Sequence, residues 1–439
     1  MRTNSIFFSG TLLGLAVAFS ACGGNDAVTP PPTGMGGMGG PVPAGTESRS
    51  QKLRITMPAV AAGQLQQLAG DERHFTANLY QAVRGADGNL IFSPESVSIA
   101  MGMLSGGAAG ATAAQLAAAM QFSLPQAQLH PAFDALDLAL ASRGAGTAPG
   151  AFKLTALNAL WAQNGFTILP AYLDLLAENY GAGVRRVDFA AMPEAARATV
   201  NQWVSSATGD KIPALLSPGD VQPDTRLILT NAVYFKAEWR SRFDKSRTRD
   251  GTFHTLVGTV TVPMMNAEGT VEYWRGDGYQ AAALPYAGDS TSMVLIVPEA
   301  GTFAAFEGAL DAAALDAILG PHAPGSARFA MPRFKARSAV SMGAALKHMG
   351  MIDAFDPARA DFSGIDGGHD LYVGNVIHQA MIAVDEDGTE AAAATAVIGV
   401  GSAFPNANEL IVDRPFLFAI RDNPTGSILF LGRVLDPGM

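Results

Sequence analysis

Helical periodicity comes first in this chain and strand-like runs come later, with no regular strand–helix–strand alternation. Phe75, Leu79, Ala82 and Val83 recur at helical spacing, with Asp71 placed to cap them. Ser93 and Pro94 then supply a cap and a first-turn proline for a helix carrying Ile99, Met103 and Leu104. Further helices are expected over 112–120, 132–141, 170–180 and 194–208, the last two stopped by Gly181 and Gly209. Short strands are expected at 89–92, 154–162 and 184–189. From residue 226 the pattern turns to strands, at 226–236, 259–264, 271–274, 281–286 and 292–298. Two short helices, 303–310 and 312–319, precede strands at 327–334, 371–384, 409–420 and 427–434. Such grouping argues for an α+β fold with large antiparallel or mixed sheets. There is no internal repeat and no second linker, so one domain is expected over 64–439.

The amino-terminal region reads differently. Arg2 precedes an apolar run over 6–19 that is too short to span a bilayer and suits a secretory signal. Phe19-Ser20-Ala21-Cys22 resembles the lipobox of bacterial lipoproteins, in which the cysteine becomes the lipidated first residue. Residues 1–21 are thus expected to be a lipoprotein-type signal peptide and Cys22 a membrane anchor. Residues 22–63 contain Pro30-Pro31-Pro32 and a Met-Gly-Gly repeat, and are expected to form a disordered tether and not a metal site. Cys22 is the one cysteine, so no intramolecular disulfide can form. A net charge of −10 leaves no basic footprint for nucleic acid, and there is no lysine cluster for an anionic membrane surface.

The stretch 384–415 is ambiguous on local grounds alone. Asp385-Glu386-Asp387-Gly388-Thr389-Glu390 leads into Ala391, Ala392, Ala393 and Ala394, then Thr395, Ala396, Val397 and Ile398. Tetra-alanine favours helix, but the β-branched residues, Gly399 and Gly401 oppose it. As a strand it would carry Thr389, Ala391, Ala393, Thr395 and Val397 on one face, all small or β-branched. That face could slide between two strands without overpacking. The bland alternative is a flexible alanine-rich surface loop.

Several segments, in order, resemble the serpin family. They are Asn89-Leu90-Ile91-Phe92-Ser93-Pro94 with Ser96, Asn201-Gln202-Trp203-Val204, Thr208-Gly209-Asp210-Lys211-Ile212, and Thr230-Asn231-Ala232-Val233-Tyr234-Phe235-Lys236 with Trp239. Phe253-His254, Val262-Pro263-Met264-Met265, His378-Gln379-Ala380, Asp413-Arg414-Pro415-Phe416 and Leu429-Phe430-Leu431-Gly432-Arg433-Val434 continue the resemblance. It covers essentially all of the chain after the tether. The fold it implies is α+β, with helices packed on a large main sheet, smaller sheets and a reactive loop.

Taken alone, His378 shares a strand face with Val376, Ala380, Ile382 and Val384, which describes a core histidine that needs hydrogen-bond partners. The resemblance sharpens this reading. It implies that His378, Asn231, Ser93 and Ser96 form the polar shutter beneath the point where the main sheet opens. It also implies that Trp239 and Glu386 lie in the breach at the top of that sheet. The loop hinge would comprise Glu386, Gly388, Thr389, Glu390, Ala391, Ala392, Ala393, Ala394 and Thr395. In such a protein a serine or cysteine protease cleaves the loop and forms an acyl-enzyme. The freed amino-terminal half then inserts into the sheet, dragging the protease with it. The spacing common to inhibitory members puts the scissile bond at Ser402–Ala403, with Val400 and Phe404 as alternatives. No lysine or arginine lies between Glu390 and Phe404, which suits elastase-, subtilisin- or chymotrypsin-like targets.

An enzyme is not expected. There is no Gly-x-Ser-x-Gly elbow, no His-Glu-x-x-His and no phosphate loop. Asp353, Asp356, Asp361, Asp366 and Asp370 lack calcium-loop spacing and read as solvated carboxylates. No cofactor or metal is expected. The expected partners are proteases and, through Cys22, a membrane. The expected state is a monomer in the cell envelope of a Gram-negative-like bacterium, at the outer membrane or cell surface, or else secreted. A non-inhibitory serpin-fold lipoprotein with a binding role is the alternative. An unrelated lipoprotein hydrolase is a third class.

Overall fold

The structure, a computed structural model, describes residues 46–148, 151–322, 325–389 and 408–438. In chain order the first half forms β1 (Thr46–Ser48), α1 (Gln64–Val83), β2 (Leu90–Phe92), α2 (Pro94–Ser105), α3 (Gly110–Ala119) and α4 (Gln126–Ala141). It continues with β3 (Phe152–Gln163), α5 (Pro170–Tyr180), β4 (Val184–Val187) and α6 (Pro193–Thr208). The second half forms β5 (Leu227–Glu238), β6 (Arg249–His254), β7 (Thr259–Gly276), β8 (Tyr279–Pro285) and β9 (Thr291–Pro298). Then come α7 (Phe303–Gly308), α8 (Ala312–Leu319), β10 (Gly325–Pro332), β11 (Phe334–Ser341), α9 (Met342–His348) and α10 (Ser363–Asp366). The last strands are β12 (Val373–Val384), β13 (Gly388–Thr389), β14 (Asn408–Ile411), β15 (Phe416–Asp422) and β16 (Ile428–Val434).

Among the described residues the strands form two sheets. The seven-stranded one runs β1-β4-β3-β5-β13-β12-β11, with β5 also paired directly to β12. The nine-stranded one runs β14-β10-β7-β8-β9-β15-β16-β2, with β6 on β7. Antiparallel and parallel ladders coexist, since β12 runs parallel to β5 and β4 parallel to β3. The expected α+β architecture is therefore present.

Helix α2 is the pivot between the layers. All twelve of its residues are buried. Ser93 caps it through the Ser96 N–H at 3.3 Å, and Pro94 sits in its first turn, as the sequence leads one to expect. Its apolar residues join a core built from α1, α9, β16 and β12, with Phe75, Tyr80, Phe92 and Met101 wholly buried.

The structure corrects the sequence reading in several places. Helix α1 begins at Gln64 behind Gly63, and no side chain among the described residues caps it. Asp71 lies inside the helix and instead accepts hydrogen bonds from the backbone and hydroxyl of Ser123. The strands expected at 259–264 and 271–274 are one continuous strand, β7. The run 409–420 is two strands, because the chain leaves β14 and crosses to β6, where Asp413 O accepts from His254 N at 2.7 Å. Strand β11 and helix α9 were not expected.

The tether boundary at residue 63 also moves. Residues 22–45 lie outside the described residues, but Thr46–Ser48 already pair with β4. Beyond β1, Arg54 binds Asp134 at 2.7 Å and Asp137 at 2.6 Å. Lys52 reaches Asp174 and Glu178 on α5. Basic residues of this segment thus find acidic partners on α4 and α5.

Asp134 is wholly buried, and its second oxygen has no hydrogen-bond partner among the described residues. Removing Arg54 would leave a buried carboxylate uncompensated. Arg54→Ala should lower stability by roughly 2–4 kcal/mol. Urea denaturation followed by circular dichroism checks this, and an unchanged midpoint would show that the strap does not hold the fold.

Candidate functional site

The site is the line along which β5 and β12 meet. These strands pair in parallel from Leu227↔Val373 up to Tyr234↔Met381. Above that level they separate. Ala237 and Glu238 pair with Thr389 and Gly388 instead, and Val384 also pairs with Thr389. Two residues of β13 therefore stand between the strands at the top of a sheet that is closed below.

A tight turn delivers them there. The Asp385 carboxylate accepts from the backbone of Asp387 at 2.9 Å and of Gly388 at 3.3 Å, while Asp385 N donates to Gly388 O at 2.9 Å. Gly388 has φ +153°, and a Cβ there would lie 2.1 Å from Ala237 O. Only glycine fits this close approach to β5.

Charged groups pin the turn from outside. Glu386 is nearly inaccessible and accepts from Arg333 Nη2 at 2.6 Å and Nε at 2.8 Å, with Thr248 as a further donor. Burial alone would raise this carboxyl, but the hydrogen bonds from Arg333 and Thr248 outweigh it and hold the group below its usual range. Lys245 binds Asp387 at 2.6 Å. Trp239 donates its indole N–H to Asp385 O at 2.9 Å and its backbone N–H to Asp387 O at 3.0 Å. Trp239 and Glu386, expected together at the breach, meet through this turn. Thr389, expected on the inserting face, is already wholly buried.

Lower down lies a row of polar side chains. Asn158, Asn231 and His378 are register partners across β3, β5 and β12. His378 Nε2 accepts from Ser93 N–H at 3.0 Å, so its proton resides on Nδ1, which donates to Asn231 Oδ1. The Asn231 amide donates to Ser96 Oγ and to Asn158 Oδ1, and Ser96 Oγ donates to Asn158 Oδ1 at 3.2 Å. Ser93, Ser96, Asn231 and His378 thus form one network. Any strand passing between β5 and β12 must break the His378–Asn231 bond, and in a dry interior that bond has to be replaced.

Asn158, Asp385, Arg333 and Tyr286 escaped the sequence reading. Asn158 carried a usable signal, a polar residue in the middle of an apolar strand. Asp385 directly precedes Glu386 in the chain, whereas Arg333 and Tyr286 join the site only through folding. Glu390, Ala391, Ala392, Ala393, Ala394 and Thr395, the scissile candidates Val400, Ser402, Ala403 and Phe404, and Cys22 lie outside the described residues. Of the aspartates near 353–370, Asp353 and Asp356 pair with Arg359, and among the described residues no three ligating side chains converge.

Burial pushes the His378 imidazole down to about 3, from about 6.5 in an unfolded chain. The unfolded chain therefore binds a proton below pH 6.5 that the folded one refuses until about pH 3. Stability is full above pH 6.5 and is lost as pH falls through that window. His130, lowered by burial to about 4, acts in the same direction. His378→Gln should remove up to about 1.4 kcal/mol per pH unit of the acid slope. Thermal unfolding between pH 7 and pH 4.5 reads this, and identical slopes in the two proteins would exclude His378 as its source.

Comparison with known proteins agrees with this architecture. The sequence model of the serpin (serine protease inhibitor) family matches residues 71–437. A serpin-like protein of Thermococcus kodakarensis is 38% identical over 366 residues, covering 83% of this chain and 84% of that protein. Leukocyte elastase inhibitor of Homo sapiens is 34% identical over 389 residues, covering 85% of this chain and 100% of its own. Among solved structures, the native state of tengpin, a thermophilic serpin, superposes with a TM-score of 0.77 at 26% identity, covering 89% of this chain and 97% of that one. The chain belongs to the serpin family.

Proposed function

We propose that the protein is a single-use protease inhibitor whose bait lies in the segment after Thr389. One observation carries this reading. The main sheet is parted at its top, Gly388 and Thr389 occupy the gap, and the next residues in the chain are Glu390 and four alanines. A strand that continued downward from Thr389 would meet β5 and β12 with small side chains on the inward face.

The protease's nucleophilic oxygen or sulfur attacks the carbonyl carbon of the residue before the scissile bond. The amine of the following residue leaves, and an acyl-enzyme remains on the amino-terminal half of the loop. Extension of β13 by about a dozen residues at ~3.3 Å each carries the attached protease roughly 40 Å. Deacylation then competes with that movement. Ser402–Ala403 is the favoured bond, with Val400 and Phe404 as alternatives. The kinship with leukocyte elastase inhibitor, together with the absence of basic residues between Glu390 and Phe404, supports a target with an elastase-, subtilisin- or chymotrypsin-like pocket. Lipidation of Cys22 would hold the inhibitor, as a monomer, at the cell envelope.

Elastase-, subtilisin- and chymotrypsin-like enzymes should be incubated with the protein. At least one should give a complex that survives SDS, and mass spectrometry of the released peptide should locate the cut. Cleavage by all of them without trapping would favour the non-inhibitory, binding alternative. Thr389→Arg sets a charge where a wholly buried small side chain stands, and should convert inhibitor to substrate while the fold persists. A Thr389→Arg protein that still traps would refute insertion at this point. Cys22→Ser should move the protein from the membrane to the soluble fraction on fractionation; an unchanged distribution would reject the anchor.

A further inference from the structure

The parted top of the sheet leaves one question that ion pairs do not answer. Arg333, Thr248 and Lys245 hold the turn, but they grip Glu386 and Asp387 on the outside of the sheet. Thr389 is held from beneath. Its Oγ lies 2.7 Å from the hydroxyl of Tyr286, and both side chains are wholly buried. Tyr286 lies just beyond the end of β8, a strand of the other sheet. Its ring stacks on Trp239 at 4.6 Å and 9°, and packs edge-on against Phe235 at 5.2 Å. Its backbone N–H bonds to Thr291 O at 3.0 Å, and it forms a bridge with Trp239. A phenol fixed this firmly in an apolar site favours whichever hinge position supplies it with a partner.

We propose that Tyr286 is a positioning residue for loop insertion. Its hydroxyl keeps Thr389 threaded between β5 and β12, so that insertion lengthens a strand already started. This inference rests on the inhibitory reading above and goes beyond it to the step that sets trapping efficiency. Starting a strand orders residues before neighbours reward them, whereas extending one adds paired residues from the first step. Insertion races deacylation, so a slower start releases more cleaved inhibitor for each protease trapped. The rate of the initial attack on the loop is not part of that race.

Tyr286→Phe and Thr389→Val each delete the hydrogen bond while keeping size and shape, and the double variant deletes nothing more. Two readouts separate the claims. The first is the change in tryptophan fluorescence after loop cleavage by any protease that cuts within 390–407. Of the four tryptophans, Trp239 is the one resting on Tyr286. The second is the number of inhibitor molecules consumed per protease trapped. Each single variant should slow the fluorescence phase by about fivefold or more and raise that number, and the double variant should match the singles. Gly388→Ala, whose Cβ would strike Ala237 O, should unseat the hinge and give at least as large an effect.

Insertion at the wild-type rate or faster in both single variants would overturn the proposal, even if their melting points fall. Effects that add in the double variant would also overturn it, because the two groups would then act separately. Normal wild-type insertion without trapping by any protease would remove the inhibitory reading and leave the role of Tyr286 to the fluorescence measurement. Cleavage followed by no insertion phase at all would end both.

Discussion

The parallel ladder between β5 and β12 is the contact on which the rest of this structure depends. It closes the middle of the seven-stranded sheet, and it is also where the sheet is parted. Below Tyr234↔Met381 the two strands share backbone hydrogen bonds and the His378–Asn231 contact. Above that level the same strands offer their backbones to Gly388 and Thr389, which run antiparallel to both. Parallel pairing is slightly the weaker kind per residue, so this seam is the easier place for a sheet to open.

What resists opening is polar. His378, Asn231, Asn158, Ser93 and Ser96 bond across three strands and the start of a wholly buried helix, so moving one strand disturbs groups on all of them. A network of this kind makes the closed sheet specific and makes intermediate positions costly, because each leaves a buried donor or acceptor unmatched. At the top the logic differs. Glu386 and Asp387 are gripped by cations that are partly exposed, and the hinge rests on Tyr286 from inside. The lower network opposes separation, while the upper contacts maintain a separation already made.

Local chemistry made much of this legible before folding. Ser93 and Pro94 announced α2, Gly181 and Gly209 ended their helices in left-handed conformations, and the alternation around His378 predicted a buried imidazole that needed partners. Legibility failed where the signal was not local. Strand β11 begins with buried Phe334 and Ala336 but continues through Ser338, Ala339 and Ser341, so no apolar run marks it. Asp71 looked like a cap because aspartate favours that position and the periodic apolar residues begin at Phe75, yet α1 extends back to Gln64 and already buries Leu68 and Ala69. Tyr286 and Arg333 are distant in sequence from the hinge, and nothing in their immediate surroundings points to it. The small residues after Glu386 showed what a sheet could admit. They did not show that Thr389 had already entered.

Strand β1 has a bearing on how copies of this molecule meet one another. A sheet that retains an opening seam cannot rely on stiffness to keep other chains off its edges. Without β1, the outer edge of the sheet on that side would be β4, with its buried valines at 184 and 187. Instead that edge is three residues long, exposes Thr46 and Glu47, and sets Glu47 4.0 Å from Arg185. Short, charged borders are poor templates for strand addition. By this geometry the first strand of the folded domain covers a stretch of backbone that would otherwise be open to pairing with a neighbour.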